Sequence, residues 1–322
     1  MSLLFGLLLP GMVGASPLVG FEPRGDFGDQ VCEATTESGV RITWQAPPAA
    51  DWSSTMPLTL VVYALPNGNS TEQTMGRRLT PDLHWRHDIQ HIAAQTRTLR
   101  AADPDRQWVT VYLEANTRSF PAWRRERGET GNGDIQDLFA QVRAPFDARD
   151  HDVVLTGHSG GGSLTFGFLN AHEAIPAWVS RIAFLDSNYA YDTAAGHGAK
   201  LADWLRGDPR RVLAALCYDD RFVELDGKRI VSDTGGTWRS TERMMEGVGR
   251  TLTESTHGAY RRLYDRQVEV LMHPNPELKI LHTVMVGEHN GLIHVLTLRT
   301  PLENRVAEFG GARAYERWID SQ

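Results

Sequence analysis

Residues 157–161 read Gly157-His158-Ser159-Gly160-Gly161. A serine hydroxyl is a weak nucleophile near neutral pH, and it attacks a carbonyl only when a base takes its proton. The surrounding residues suit that task. Asp152-Val-Val-Leu-Thr156 has the character of a buried strand, and Ser163-Leu-Thr-Phe-Gly-Phe-Leu-Asn170 is compatible with a helix. Between a strand and a helix, Gly-x-Ser-x-Gly forms a sharp turn that lifts the serine to the top of a sheet. Ser159 then stands at a helix N-terminus, where free N–H groups favour an oxyanion. The competing reading is a glycine-rich turn that merely contains a serine.

Strands and helices must alternate to hold such a turn. Gly39–Trp44 alternates with period two and reads as an early, antiparallel-compatible strand. Leu58–Leu65 is a strand ending in Pro66-Asn67-Gly68-Asn69. Asp88–Arg100 reads as a helix, Trp108–Glu114 as a strand, Ser119–Gly133 as a loop and Asp134–Val142 as a helix. Beyond the serine, Arg181–Asp186 and Arg211–Cys217 read as strands, and Asp226-Gly227 marks a hairpin within Phe222–Val231. Val268–Met272 and Leu278–Val286 are the last predicted strands, and a helix is predicted near Gly311–Asp320. Alternation of this kind predicts an α/β fold: a mostly parallel central sheet with helices on both faces. Segments 189–210 and 232–261 fall outside the strand framework and are predicted to be cap insertions over the sheet edge. Residues 16–322 are therefore read as a single domain.

From about residue 55 to 320 the order of elements resembles the α/β-hydrolase superfamily, most specifically at the elbow Gly157–Gly161. The chain order Ser…Asp…His is also the one that superfamily uses. The resemblance implies a base after the last strand and an orienting acid after an earlier one. Two histidines follow the last predicted strand, His289 and His294, and both are candidates for the base. His282 falls inside that predicted strand and reads as a core residue. His158, adjacent to the serine, reads as a pocket or packing residue. For the acid, Asp219 and Asp220 follow the strand after which the superfamily most often carries it, with Asp220 the better spaced. Asp186 ends the preceding strand; Arg181–Asp186 resembles the acid-bearing strand of pancreatic-type lipases, without the proline usual there. The resemblance also implies two oxyanion donors. One is the Gly160 N–H. The other comes from the loop after Leu58–Leu65, where Asn67, Gly68 and Asn69 are the candidates.

What the resemblance implies is a serine hydrolase that cleaves a carboxylic ester, on a small-molecule or lipid-like substrate, through an acyl-enzyme and without cofactor or metal. A peptidase or amidase on the same triad is the first alternative. A non-catalytic binding protein on the same scaffold is the second, since a fold does not fix a function.

Bulk properties set outer limits. The chain has 322 residues, 41% of them hydrophobic and 23% charged, which suffices for a sizeable core. A formal net charge of −7 gives no general attraction for nucleic acid or anionic membrane. Met1–Ala15 carries a short apolar run ahead of Val13-Gly14-Ala15, which reads as a signal peptide of an exported protein, too short to span a bilayer. There are two cysteines, Cys32 and Cys217. Export would allow a disulfide, but Cys217 falls in a core strand and reads as a buried free thiol. His84, His87, Asp88 and His91 lie close together, and the three histidines would share a helix face in a metal-capable spacing, yet no ligand from another element is identifiable and a polar helix start is the favoured reading. The aromatic residues Trp85, Phe120, Trp123, Tyr189, Tyr191 and Trp238 either line an acyl or aryl pocket or pack a cap. Gly235-Gly236-Thr237-Trp238 lacks the lysine of a phosphate-binding loop.

Overall fold

A computed structural model describes residues 17–321, so the signal-peptide reading of Met1–Ala15 lies outside the described residues. The strands are β1 (Glu22–Arg24), β2 (Asp29–Thr35), β3 (Val40–Ala46), β4 (Leu58–Ala64), β5 (Gln107–Ala115), β6 (His151–His158), β7 (Val179–Leu185), β8 (Val212–Tyr218), β9 (Glu224–Leu225), β10 (Lys228–Arg229), β11 (Thr253–His257), β12 (Tyr260–Tyr264) and β13 (Val268–His273). The helices are α1 (Thr71–Met75), α2 (Ile92–Ala102), α3 (Phe120–Arg127), α4 (Gly131–Arg143), α5 (Gly162–Ala171), α6 (His197–Gly207), α7 (Thr237–Val248) and α8 (Gly291–Thr297). Eleven strands form one sheet in the order β1-β2-β3-β5-β4-β6-β7-β8-β13-β12-β11, and β9 and β10 pair separately as the hairpin expected around Asp226-Gly227.

The run β5-β4-β6-β7-β8-β13 is parallel throughout. Both edges are antiparallel, β1-β2-β3 against β5 on one side and β12-β11 against β13 on the other. The sheet is thus mixed, with a parallel centre. Period-two alternation assigns its side chains to two layers. From β4, Leu58, Leu60 and Val62 join one core and Val61 and Tyr63 the other. The first core is covered by α3 to α7, through residues such as Trp123, Phe139, Phe166, Trp204 and Met244. The second is covered by α2, α8 and the C-terminal segment, through Leu99, Leu292, Phe309 and Tyr315.

Several expectations are corrected. The segments at 189–210 and 232–261 are not caps. Helix α6 is the crossover between β7 and β8, and α7 that between β8 and β13; both bury apolar residues in the first core. The remainder of the second segment is the β11–β12 hairpin, which extends the sheet. No strand forms over Leu278–Val286. The outer edge of β13 is already paired with β12, and Pro274 and Pro276 cannot donate to a ladder. Asn275 instead closes a loop, its side chain bonded to the carbonyls of Asp219 and Lys279 at 3.0 and 2.9 Å. The predicted loop at Ser119–Gly133 contains α3, started by the Ser119 side chain accepting from the Ala122 N–H at 3.3 Å, with Pro121 in the first turn. The terminal helix is reduced to one tight turn, Glu316–Trp318. Both cysteines are free, Cys217 buried on β8 and Cys32 partly buried on β2.

One buried ion cluster ties the chain ends together. Arg97 of α2 bridges Asp29 of β2 (2.6 Å) and Asp320 (2.8 Å), and Arg100 reaches the second Asp29 oxygen at 2.8 Å. Removing a partner from such a cluster leaves uncompensated buried charge. Arg97→Met is therefore expected to lower unfolding free energy by about 3–5 kcal/mol in urea titrations. A second expectation concerns acid. Burial pushes the His294 imidazole down to about 3 and that of His197 to about 4. Each folded-state value lies below the ordinary 6.5, so the unfolded chain binds more protons, and stability falls as pH drops below about 6.5. The urea midpoint should fall between pH 7 and 5, and fall less in His294→Leu.

Candidate active site

The strand order places the site. Chain direction across the sheet reverses between β4 and β6: β4 connects outward to β5, and the chain then returns to β6 on the other side of β4. A crevice opens beyond the strand ends at such a switch point. The loop after β4 carries Asn67, and the turn after β6 carries Ser159.

Ser159 has φ +54°, a left-handed conformation that costs a non-glycine residue about 1–2 kcal/mol. Packing imposes it. A Cβ at Gly161 would lie 2.1 Å from the Ala64 carbonyl oxygen, and one at Gly160 would lie 2.0 Å from Asn67 Oδ1. Only glycine lets the turn press this closely on the end of β4, with α5 starting directly behind it. The elbow expected from sequence is present in its geometry.

Strands β6 and β7 hold His158 opposite Leu185, so residues 159 and 186 leave neighbouring strands at one level, roughly 5 Å apart across the sheet. Asp186 is completely buried, with φ +48°, and its N–H donates to the Leu216 carbonyl at 2.8 Å. Its Oδ2 meets His282 Nδ1 and its Oδ1 accepts from the Thr237 hydroxyl. His282 lies in the turns after β13, with its side chain 24% exposed. Its ring packs against His158, centroids 4.4 Å apart, and edge-on to Tyr189 at 6.3 Å. The His282 carbonyl accepts a hydrogen bond from His158 Nε2 at 2.9 Å. With Nδ1 donating to a carboxylate, the His282 Nε2 lone pair is the free basic position.

The two histidines expected as bases lie elsewhere. His289 Nδ1 meets the Tyr260 hydroxyl at 2.8 Å, and its ring packs edge-on to Tyr260 and Phe309. His294 is buried in α8 beside Phe309 and His257. Neither is brought to an aspartate. Two of the acid candidates are also otherwise engaged. Asp219 is paired with Arg221 at 2.6 Å; burial raises its carboxyl, but the Arg221 bonds outweigh this and hold it below the ordinary value. Asp220 sits at the N-terminus of α7 and accepts the Thr237 N–H at 2.8 Å. Burial, with Asp186 close by, pushes its carboxyl up to about 6. The structure thus brings together Asp186, from the candidate set, and His282, read from sequence as a core residue. Sequence carried one signal for His282: the proline pair at 274 and 276, which argues that β13 is the last strand and places His282 in the loop beyond it.

Of the oxyanion candidates, the Gly68 N–H donates to the Arg118 carbonyl at 2.8 Å and the Asn69 N–H to Pro66 at 3.3 Å. Both are committed. The Asn67 N–H has no partner among the described residues, and its side chain lies against Gly160.

Other clusters resolve into structural roles. His84 caps a short turn, His91 Nε2 meets Asp88 Oδ1 at 2.7 Å, and α2 begins only at Ile92, so the three histidines do not share a helix face. Among the described residues no group of three or more His, Cys, Asp or Glu side chains is arranged to hold a metal ion. No helix among them is long and apolar enough to cross a membrane. Phe120, Trp123, Tyr191 and Trp238 are buried in the first core, while Trp85 and Tyr189 are exposed. A groove of about 990 Å³ lined by Arg106, Asp152, Arg181 and Arg299 lies at the opposite, N-terminal edge of the strands.

No family model and no curated protein matches the chain. Solved structures similar to it include a thermostable esterase, at 13% identity and TM-score 0.45 over 86% of this chain; the match spans 60% of that esterase's length. A predicted CIB-like hydrolase from Thermoplasma acidophilum aligns at 8% identity and TM-score 0.45, over 84% of this chain and 97% of that one. An S-formylglutathione hydrolase from Agrobacterium tumefaciens aligns at 11% identity and TM-score 0.44, over 81% and 91%. Identities this low leave the chemistry to be read from the chain's own residues.

Proposed function

We propose that the protein is a serine hydrolase acting on carboxylic esters, with Ser159 as nucleophile, His282 as base and Asp186 as orienting acid. One observation carries the reading: a buried aspartate and a partly exposed histidine are hydrogen-bonded at the strand edge where a strained serine leaves the neighbouring strand. Ser159 Oγ attacks the carbonyl carbon while His282 Nε2 takes its proton. The tetrahedral oxyanion is held by the N–H groups of Gly160 and Asn67. Collapse expels the alcohol, which receives the proton from His282, and leaves an acyl-serine. Water, deprotonated by the same nitrogen, then releases the acid and restores the serine. Asp186 fixes the imidazole tautomer and stabilises the imidazolium that forms twice in the cycle. No step calls for a cofactor.

An ester is favoured over an amide because an alkoxide leaves more readily. Tyr189, Leu278 and Ile280 are exposed on segments flanking His282, so the rim suits an apolar acyl or aryl group.

Three outcomes test the proposal. A fluorophosphonate probe should label the wild type and not Ser159→Ala; a folded wild type that never labels would favour the binding-protein alternative. With p-nitrophenyl acetate, His282→Ala and Asp186→Asn should each lose about 10⁴-fold in kcat, whereas His289→Phe should stay within a few-fold. Loss at His289 with retention at His282 would refute the assignment. Thr237→Val removes the donor to Asp186 Oδ1 and should reduce kcat about tenfold, with parallel ester and amide substrates separating esterase from amidase.

A further inference from the structure

Among the described residues His282 makes two hydrogen bonds, one through its ring to Asp186 and one through its carbonyl to His158. Residues 274–290 contain turns but no strand or helix, so no ladder fixes the height or rotation of His282. Turn bonds hold its neighbours, Val284 N–H to the Leu281 carbonyl at 3.1 Å and Gly287 N–H to the Thr283 carbonyl at 3.0 Å; the bond from His158 is the one that ties the main chain of His282 itself to the sheet.

We propose that His158 is a positioning residue for the base: its Nε2–H holds the His282 carbonyl and its ring supports the imidazole, tying the base to the nucleophile's own turn. The proposal rests on the reading of Ser159, His282 and Asp186 given above.

The chemistry of His158 favours this over a packing role. A carbonyl can only accept, so Nε2 must carry the proton and Nδ1 must be bare. His158 is 2% exposed, and Nδ1 has no partner. A buried acceptor left unmet costs stability, and an alkyl side chain of similar size would fill the space without that cost. What an alkyl chain lacks is the donor. Burial, with the neighbouring His282 adding to it, holds the His158 imidazole well below its ordinary value, so the ring stays neutral and keeps a single N–H. Neutrality also spares the His282 imidazolium a second cation at 4.4 Å. Finally, His158 is the last residue of β6, so its main chain sets Ser159 while its side chain sets His282. A shift of the turn moves both reacting groups together.

Gln and Met have similar length, and only Gln carries an N–H, so His158→Gln and His158→Met form the test pair. His158→Met should lose about 100-fold in kcat on p-nitrophenyl acetate, with KM within a few-fold, and His158→Gln should recover most of it. A readout independent of turnover is the low-field proton resonance of His282 Nδ1–H, recorded in a Ser159→Ala background. It should persist with Gln and vanish or broaden with Met. In the wild type, ¹⁵N-histidine spectra should show His158 protonated at Nε2 only. A His158 protonated at Nδ1, or Gln and Met variants with equal kcat and equal resonances, would overturn the proposal. Should Ser159→Ala retain activity, the triad reading fails, and the tautomer and the resonance still decide the role of His158.

Discussion

A carboxylate withdrawn from water must have its oxygens met by donors, because an unpaired buried charge is among the costliest features a fold can carry. Asp186 has no exposed surface, and its two oxygens are answered by His282 and by Thr237. Much of the local architecture follows from those two contacts. The first draws the chain after β13 back over the strand ends. The second fixes the start of α7, whose remaining length packs beneath the sheet and makes the crossover between β8 and β13.

Two aspartates close in space are divided by their surroundings. Asp220 faces the N–H groups at the start of α7 and no histidine, and its carboxyl is raised; Asp186 has a histidine and a hydroxyl. Thr237 contacts both, its N–H serving one and its hydroxyl the other. Placing the two acids around one residue lets Asp220 anchor the helix and leaves Asp186 hydrogen-bonded to the His282 imidazole. Like charges at this range also oppose simultaneous ionisation, which is one reason the Asp220 carboxyl lies high.

Two of the non-glycine residues with positive φ fall where the reading needs them. Ser159 and Asp186 both have positive φ at the ends of neighbouring parallel strands, and each is held by contacts to the next strand along. The Ala64 carbonyl leaves Gly161 no room for a side chain, and the Leu216 carbonyl receives the Asp186 N–H. A sheet of parallel strands packed on both faces is stiff enough to maintain such conformations.

Local pattern in the amino-acid order was enough for the turn at Ser159, the alternation of strands and helices, and the hairpin at Asp226-Gly227, because sterics and side-chain period act between near neighbours. It misread Leu278–Val286, whose apolar, β-branched content suits a strand, because strand formation requires a free neighbouring edge and the β11–β12 hairpin occupies it. The same non-local fact turned His282 from a buried strand residue into a loop residue facing Asp186. Sequence by itself determined which residue types stand ready at the end of each strand. Which histidine meets which aspartate was decided only by the tertiary structure, since that pairing depends on strand order and on the return path of a loop, and neither is encoded within reach of a single segment.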